Sequence, residues 1–256
     1  VIEDNPYTLL RVAPDMLFGT ADTLAEHLGI IGSDTRRLEA GLEWILRSLD
    51  NQGHTCLPVD QLIGRLDDLL QTDVDDIANF IESLLEQGAL YSTYYEDILY
   101  IYPPEMYVSE VEGVQYTREL LLQADPISLD IPSFIEKFER DNYITFGDAQ
   151  KEAIQLSFFE KFSLITGGPG TGKTTIIKAL VKGFQLGGLG RIILCAPTGR
   201  AAKRLTEATE FEATTIHRLL VPVQGSDSYD FTKNEDDPLD IDVIIIDEAS
   251  MLNVHL

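Results

Sequence analysis

The sequence predicts an α/β fold with a parallel sheet, preceded by a mainly helical region. A glycine-rich loop lies between a short apolar run and a helix-forming run over residues 161–178. Two further apolar runs of strand length follow at 191–196 and 241–246, whereas helical patterns dominate the first 124 residues. With 256 residues, 44% of them apolar, the chain is long enough for two domains, each with its own core.

The net charge of −24 is unevenly distributed along the chain. Residues 1–140 carry 8 Lys and Arg against 27 Asp and Glu, and residues 141–256 carry 11 against 16. A field of this sign repels phosphate, so any contact with nucleic acid must be local. The acidic first half is either a solvated surface or a docking site for a protein partner.

Targeting signals and cysteine frameworks are missing from the sequence. No apolar run approaches the roughly 20 residues that span a bilayer, and no segment resembles a signal peptide. Cys56 and Cys195 are far apart, which supports neither a disulfide framework nor a cysteine zinc site. We therefore expect a cytoplasmic protein with no membrane partner. Because the chain opens on Val1 and stops at Leu256 soon after a motif, we expect a fragment with a truncated sheet.

The first 124 residues are predicted to form two small helical domains. Residues 1–58 contain short helices and an amphipathic run at 36–49. Residues 59–124 contain helices at 59–70 and 74–87, the second capped by Asp73, and a hairpin of strands at 89–95 and 98–102. Two helices followed by a hairpin are typical of a winged helix. Because the second helix carries five carboxylates and no Lys or Arg, we favour a structural or protein-contact role over DNA binding.

Residues 125–141 are predicted to form a junction, and residues 142–256 a second domain. Pro126 and Pro132 interrupt regular structure, and Ser133 is a candidate cap for a short helix at 134–140. A helix over 151–159 follows. Gln150, one helix upstream of the glycine-rich loop, is a candidate reader of adenine because an amide both donates and accepts hydrogen bonds.

The glycine-rich loop matches the P-loop pattern G-x-x-x-x-G-K-[ST], with a strand expected at 162–165 and a helix after it. Its glycines let N–H groups turn toward a phosphate, and the helix N-terminus adds partial positive charge. Lys173 is predicted to reach the β- and γ-phosphates of ATP, and the Thr174 hydroxyl to ligate Mg²⁺. The loop residues predicted to contact the nucleotide are Gly168, Pro169, Gly170, Thr171, Gly172, Lys173, Thr174 and Thr175.

Further polar groups follow the next two predicted strands, at the edge where a parallel sheet collects its ligands. Thr198 and the basic helix at 200–209 could grip a nucleic-acid backbone, although a solvated basic face is the alternative. His217 could bind ligand or cap a turn, and residues 224–240 read as a polar loop or mobile hairpin. Asp247 and Glu248 end a third buried strand, where Asp247 would hold Mg²⁺ and Glu248 would deprotonate the attacking water.

Together these elements resemble the superfamily 1 DNA helicases, most closely the RecD-like branch (exodeoxyribonuclease V alpha-subunit-like). The resemblance rests on Gln150 and on segments 166–174, 196–203, 215–217 and 247–250, in family order. The N-terminal part is also similar, and residues 1–58 resemble a helix–hairpin–helix element with its hairpin around residues 17–19.

The resemblance implies a P-loop NTPase lobe of the RecA-like type, which moves along single-stranded DNA in the 5′→3′ direction and unwinds duplexes. It assigns Gln150 to the base, and Thr198, Arg200 and His217 to DNA. It also implies a second lobe with an arginine finger, so we expect this fragment alone to bind nucleotide weakly and hydrolyse it poorly. The alternatives are a non-motor nucleotide switch with an interaction module, and a small-molecule kinase, for which segments 198–203 and 215–217 are unnecessary.

Overall fold

A computed structural model describes residues 4–13, 15–50, 52–122, 127–223 and 231–254. The chain divides into two compact units, Val1–Gly113 and Val114–Leu256. The α-helices in the described ranges are α1 Leu9–Val12, α2 Phe18–His27, α3 Thr35–Asp50, α4 Val59–Leu70, α5 Val74–Glu86, α6 Pro104–Leu121, α7 Ile131–Asn142, α8 Asp148–Phe159, α9 Lys173–Leu186, α10 Gly199–Thr209 and α11 Ile216–Leu220. The strands are β1 Leu57–Pro58, β2 Tyr91–Tyr95, β3 Ile98–Tyr102, β4 Ile192–Ala196, β5 Ala213–Thr215 and β6 Val243–Ile246.

The helices of the first unit begin and end within one residue of the predicted bounds for α3, α4 and α5. Asp73 caps α5 as predicted, because its side chain accepts a hydrogen bond from Asp75 N at 2.9 Å. The core lies where the apolar faces of these helices meet. Its fully buried members include Leu62, Leu66 and Ile77.

The predicted hairpin is present and turns through Glu96 and Asp97. Tyr95 and Ile98 are paired, so the loop has two residues, and their φ angles of 48° and 61° are both in the left-handed region. This is a type I′ turn, whose twist matches that of the strands. The sheet also contains β1, which pairs antiparallel with β3 and which the sequence pattern did not predict.

The predicted hairpin between the first helices is displaced. Helix α2 begins at Phe18, so Gly19 lies in its first turn and the connection to α1 precedes residue 18. Phe18 is buried and its ring stacks on Tyr7, with centroids 5.7 Å apart. Burial of this aromatic pair stabilises the position of Phe18 at the start of the helix.

A buried ion pair lies at the centre of the first unit. The Arg37 guanidinium donates to both carboxylate oxygens of Asp22 at 2.8 Å and to Thr72 Oγ1 at 3.1 Å. The Tyr7 hydroxyl donates to Asp22 Oδ1 at 2.5 Å. Burial alone would raise the pKa of the Asp22 carboxyl, but the hydrogen bonds from Arg37 and Tyr7 outweigh it and hold that pKa below its usual value. Asp22 is therefore ionised and joined to two other segments, through Tyr7 and Arg37.

The second unit begins its core with α7, in the segment predicted to be a junction. The predicted cap is wrong: Asp130 caps the helix by accepting a hydrogen bond from Ser133 N, and the helix begins at Ile131. Pro132 lies in the first turn, where a missing N–H breaks no helical bond. Phe134 and Phe138 of α7 are buried in the same core as α8 and α9. Residues 125 and 126 of this segment lie outside the described residues.

A parallel three-stranded sheet forms the other half of this unit, in the order β5-β4-β6. The central strand is buried, with Leu194 and Cys195 almost inaccessible. The prediction that β6 is a buried strand is wrong: it lies at the edge of the described sheet, and Ile244 and Ile246 are 42% and 37% exposed.

The strand predicted at residues 162–165 is not formed in the described structure. The segment has no regular secondary structure, its backbone pairs with none of the described strands, and Leu164 is 72% exposed. A strand exists only where its N–H and C=O groups meet those of a neighbour. The P-loop here therefore follows an unpaired segment. Of the predicted loop at 224–240, residues 224–230 lie outside the described residues.

No helix in the described ranges is long and apolar enough to cross a membrane.

Asp242 ties the amino ends of β4 and β6 together. Its Oδ2 accepts hydrogen bonds from Gly190 N and Arg191 N, and its Oδ1 accepts from Arg191 Nη2 at 2.8 Å. The Arg191 side chain, followed by these backbone N–H groups, lowers the pKa of the Asp242 carboxyl to about 2.

Replacement of Asp242 by asparagine should remove part of the acid sensitivity of the fold. The folded pKa of about 2 lies below the unfolded value of about 3.9. The carboxylate therefore stabilises the fold above pH ~4, and this contribution is lost as the pH falls toward 2. When the pH is lowered from 5 to 2, the midpoint temperature of thermal unfolding should fall less for Asp242→Asn than for the parent chain. The exposed Asp236→Asn is the control; equal pH slopes for the parent and Asp242→Asn would contradict this assignment.

Candidate nucleotide and DNA site

The glycine-rich loop has the backbone shape of an anion nest. Gly170 and Gly172 have φ angles of 76° and 80°, which are left-handed, and α9 begins directly afterwards at Lys173. Alternation of left- and right-handed residues turns successive N–H groups to one side of the chain. A Cβ added at Gly168 or Gly170 would meet no atom within 4 Å, so the space beside the loop is open. This loop fits a phosphate.

Lys173 braces the loop from inside. Its Nζ donates to the carbonyls of Gly167 and Gly168 at 2.6 and 3.0 Å, and Thr171 Oγ1 donates to Gly168 O at 2.9 Å. An ammonium has three N–H donors, so one remains for a ligand after both carbonyls are satisfied. The charge of Lys173 is therefore held against the glycine-rich loop.

Thr174 and Thr175 lie in the first turn of α9, half-buried beside a cavity. The cavity has a volume of about 360 Å³. It is lined by Phe138, Asn142, Ile144, Thr174, Thr175, Lys178 and Ala208. A hydroxyl at the first turn of a P-loop helix is a suitable ligand for Mg²⁺, so Thr174 could hold that ion.

Gln150 contacts the loop directly. Its Nε2 donates to Thr171 O at 2.8 Å, and its Oε1 accepts from Gly147 N at 2.8 Å. The role of Gly147 was missed in the sequence. The signal for it was the spacing, because a Gln three residues after a helix N-cap reaches back to the N-cap N–H.

Two threonines, Thr198 just after β4 and Thr215 at the end of β5, cap the helices that follow. Thr198 Oγ1 accepts from Ala201 N, and Thr215 Oγ1 accepts from Arg218 N, both at 3.2 Å. Ala196 and Thr215 are direct neighbours across the sheet, so both caps lie at its carboxyl edge. Arg200 is exposed in the first turn of α10. The ring of His217 on α11 meets that of Phe231 edge-on at 6.1 Å.

Asp247 and Glu248 follow β6 at the same edge. Asp247 N donates to Cys195 O, and Asp247 Oδ1 accepts from Glu248 N at 3.0 Å. Asp247 is half-buried, whereas Glu248 is exposed. The backbone of Glu248 is left-handed, with φ 55° and ψ 38°. The two carboxylates therefore have different surroundings: that of Asp247 is held close to the sheet, and that of Glu248 faces solvent.

Comparison with known proteins is consistent with these features. Residues 150–256 match the family described as an AAA domain, and residues 1–56 match the ATP-dependent RecD2 DNA helicase HHH domain. The chain is 30% identical to the ATP-dependent RecD2 DNA helicase of Deinococcus radiodurans, over 98% of this chain and 35% of that protein. The RecBCD enzyme subunit RecD of Haemophilus influenzae is 32% identical, over 62% of this chain and 28% of that protein. The chain belongs to the RecD-like helicase family.

The RecD-like chain is much shorter than these relatives. It spans about a third or less of the length of each of them, and the RecD subunit of Mycolicibacterium smegmatis, 36% identical, is matched over 24% of its length. The predicted fold class is confirmed: a parallel α/β sheet with an AAA-domain match, preceded by a helical region with an HHH-domain match.

Helix α9 packs against the RecD-like sheet, because its Ile177 and Val181 share a buried core with Leu194 of β4. After its C-terminal end, Gly190 and Arg191 contact Asp242 at the amino end of β6. The helix has 14 residues and so spans about 21 Å. We infer that its N-terminus and the P-loop lie toward the carboxyl edge, where Asp247 ends β6. Among the described residues, hydrogen bonds join the P-loop to Gln150, whereas neither a hydrogen bond nor an ion pair joins it directly to Asp247 or Glu248.

Proposed function

We propose that this RecD-like chain supplies the N-terminal region and part of the first motor lobe of an ATP-dependent DNA helicase. The observation that supports this most strongly is the P-loop, an open anion nest braced by Lys173 and contacted by Gln150. A glycine-rich turn without an anionic ligand would not require a lysine ammonium held against its backbone. In this proposal ATP is the substrate and Mg²⁺ the metal cofactor.

The residues divide the hydrolysis reaction between binding and proton transfer. The P-loop N–H groups and Lys173 bind the phosphates, and Gln150 faces the base. Thr174 and Asp247 would hold Mg²⁺, which would supply positive charge to neutralise the phosphates. Glu248 accepts a proton from the attacking water, whose oxygen bonds to the γ-phosphorus as the bond to the ADP oxygen breaks. ADP and phosphate leave, and the proton returns from Glu248 to solvent.

We propose that the partner is single-stranded DNA, which lies along the carboxyl edge of the parallel sheet and contacts Thr198, Arg200 and His217. The helicase would move along this strand in the 5′→3′ direction. Local basic groups on α10 are required because the chain as a whole is acidic. The acidic N-terminal unit is a candidate docking surface for a protein partner. Its negative charge argues against a DNA phosphate track there. We place the protein in the cytoplasm.

Replacement of Lys173 by alanine tests this function in the longer RecD-like protein. Loss of charge-assisted hydrogen bonds to phosphate should weaken ATP binding by roughly 10- to 100-fold and remove DNA-stimulated ATP turnover and strand separation. The matched control is Lys182→Ala, two turns further along α9, where the ammonium lies 5.4 Å from the Phe138 ring centroid. If DNA does not increase the rate of ATP turnover, or if the unsubstituted protein separates no strands, the result would instead favour a nucleotide switch.

A further inference from the structure

The amide of Gln150 is fixed at both ends by backbone groups. Its oxygen accepts from Gly147 N and its nitrogen donates to Thr171 O, each at 2.8 Å. The fit is close, because a Cβ added at Gly172 would approach Gln150 Nε2 to 2.6 Å. Gln150 therefore packs against the P-loop backbone itself.

The bond to Thr171 O determines the direction of an N–H group. The carbonyl of Thr171 and the N–H of Gly172 belong to one planar trans peptide, so they point in opposite directions. Holding the carbonyl toward Gln150 holds the Gly172 N–H away from it. This peptide lies between Thr171 and Gly172, and because Gly172 is a left-handed glycine without a Cβ, the peptide can otherwise rotate easily.

The anchor for this contact is rigid. Gln150 lies in the first turn of α8, and Ile154 and Phe158 of the same helix are completely or almost completely buried. Phe158 packs edge-on against Phe184 of α9, the helix that continues from the P-loop. The side chain therefore joins a fixed helix start to a loop peptide that its glycine leaves free to rotate.

We propose that Gln150 is a positioning residue for phosphate binding, which holds the P-loop in its anion-binding shape through the Thr171 carbonyl. This rests on the proposed nucleotide site and adds a role that does not involve the base. The two roles are compatible, since an amide has a second N–H and a second oxygen lone pair for the base. Binding of a ligand that has phosphates but no base distinguishes the positioning role from the base contact.

The test compares Gln150→Glu and Gln150→Met with the parent chain. Glutamate keeps the acceptor for Gly147 N but cannot donate to Thr171 O, and neutral methionine does neither. Both variants should bind Mg²⁺–tripolyphosphate roughly 3- to 10-fold more weakly than the parent, the value of one hydrogen bond. Gln155→Glu, exposed on the same helix, should change little.

Hydrogen exchange without ligand provides a second measurement. In the parent chain the bond to Thr171 O restrains the loop, so the peptide covering residues 167–172 should exchange faster in both Gln150 variants. A lower affinity for ATP with unchanged tripolyphosphate binding and unchanged exchange would overturn the proposal, leaving a base contact alone. If the parent binds neither ATP nor tripolyphosphate, the proposed nucleotide function fails, and the exchange rates then decide the positioning role.

Discussion

Replacing Glu248 with glutamine is expected to slow ATP turnover by about 10²- to 10⁴-fold in the longer RecD-like protein. Glutamine has nearly the same size but cannot accept the proton that the attacking water releases. Glu248 is exposed at the end of β6, and the backbone around it is held by Asp247. Nucleotide affinity should therefore stay close to that of the parent. Single-turnover hydrolysis and equilibrium binding of ATP measure the two effects separately.

The control for Glu248 is another exposed carboxylate in the same unit. Glu207→Gln on α10 removes an exposed ion pair, in which Lys203 Nζ lies 3.9 Å from Glu207 Oε1. This substitution should leave ATP turnover unchanged. A Glu248→Gln protein that hydrolyses ATP at the parent rate would move the proton acceptor to another residue. Loss of binding together with turnover would instead indicate a structural role for Glu248.

Replacing Arg37 with alanine should destabilise the first unit by about 3–5 kcal/mol. The side chains of Arg37 and Asp22 are only 9% and 13% exposed, so the mutation leaves a buried carboxylate without its partner. Denaturant unfolding followed by tryptophan fluorescence reports on this unit, because Trp44 is the only tryptophan in the sequence and its ring lies 6.1 Å from that of Phe18.

Arg36 provides the matched control one residue away. Its ion pair with Asp34 is formed by a side chain that is 43% exposed, and such pairs contribute about 0–1 kcal/mol. Arg36→Ala should therefore have a small effect. A second comparison replaces both partners, Arg37→Met with Asp22→Leu, which should recover part of the loss because no buried charge remains. Equal destabilisation by Arg36→Ala and Arg37→Ala would contradict this account.

Local patterns in the sequence predicted the elements that local chemistry determines. The helices α3, α4 and α5 were predicted from apolar spacing, and the cap at Asp73 from its position before an apolar run. The P-loop was predicted because its glycines and lysine act within a few residues of each other. The family was recognised from the order of such short segments.

Features that depend on distant pairing were not predicted correctly. The segment at 162–165 has the composition of a strand, yet a strand also needs a neighbour, and no described strand pairs with it. The two-residue strand β1 is too short to show alternation. Arg37 and Asp22 are 15 residues apart, and Gln150 and Thr171 are 21 apart, so no periodic pattern connects either pair.

Because the backbone at Glu248 is left-handed, stability and catalysis should favour different residues at this position. For an L-residue this conformation costs roughly 1–2 kcal/mol, a cost that glycine avoids and asparagine reduces. A library randomised at position 248 and selected only for thermal resistance should therefore enrich glycine and asparagine. Selection for catalysis should return glutamate. The difference in thermal stability between the two sets of selected variants would measure the stability lost by having glutamate at this position.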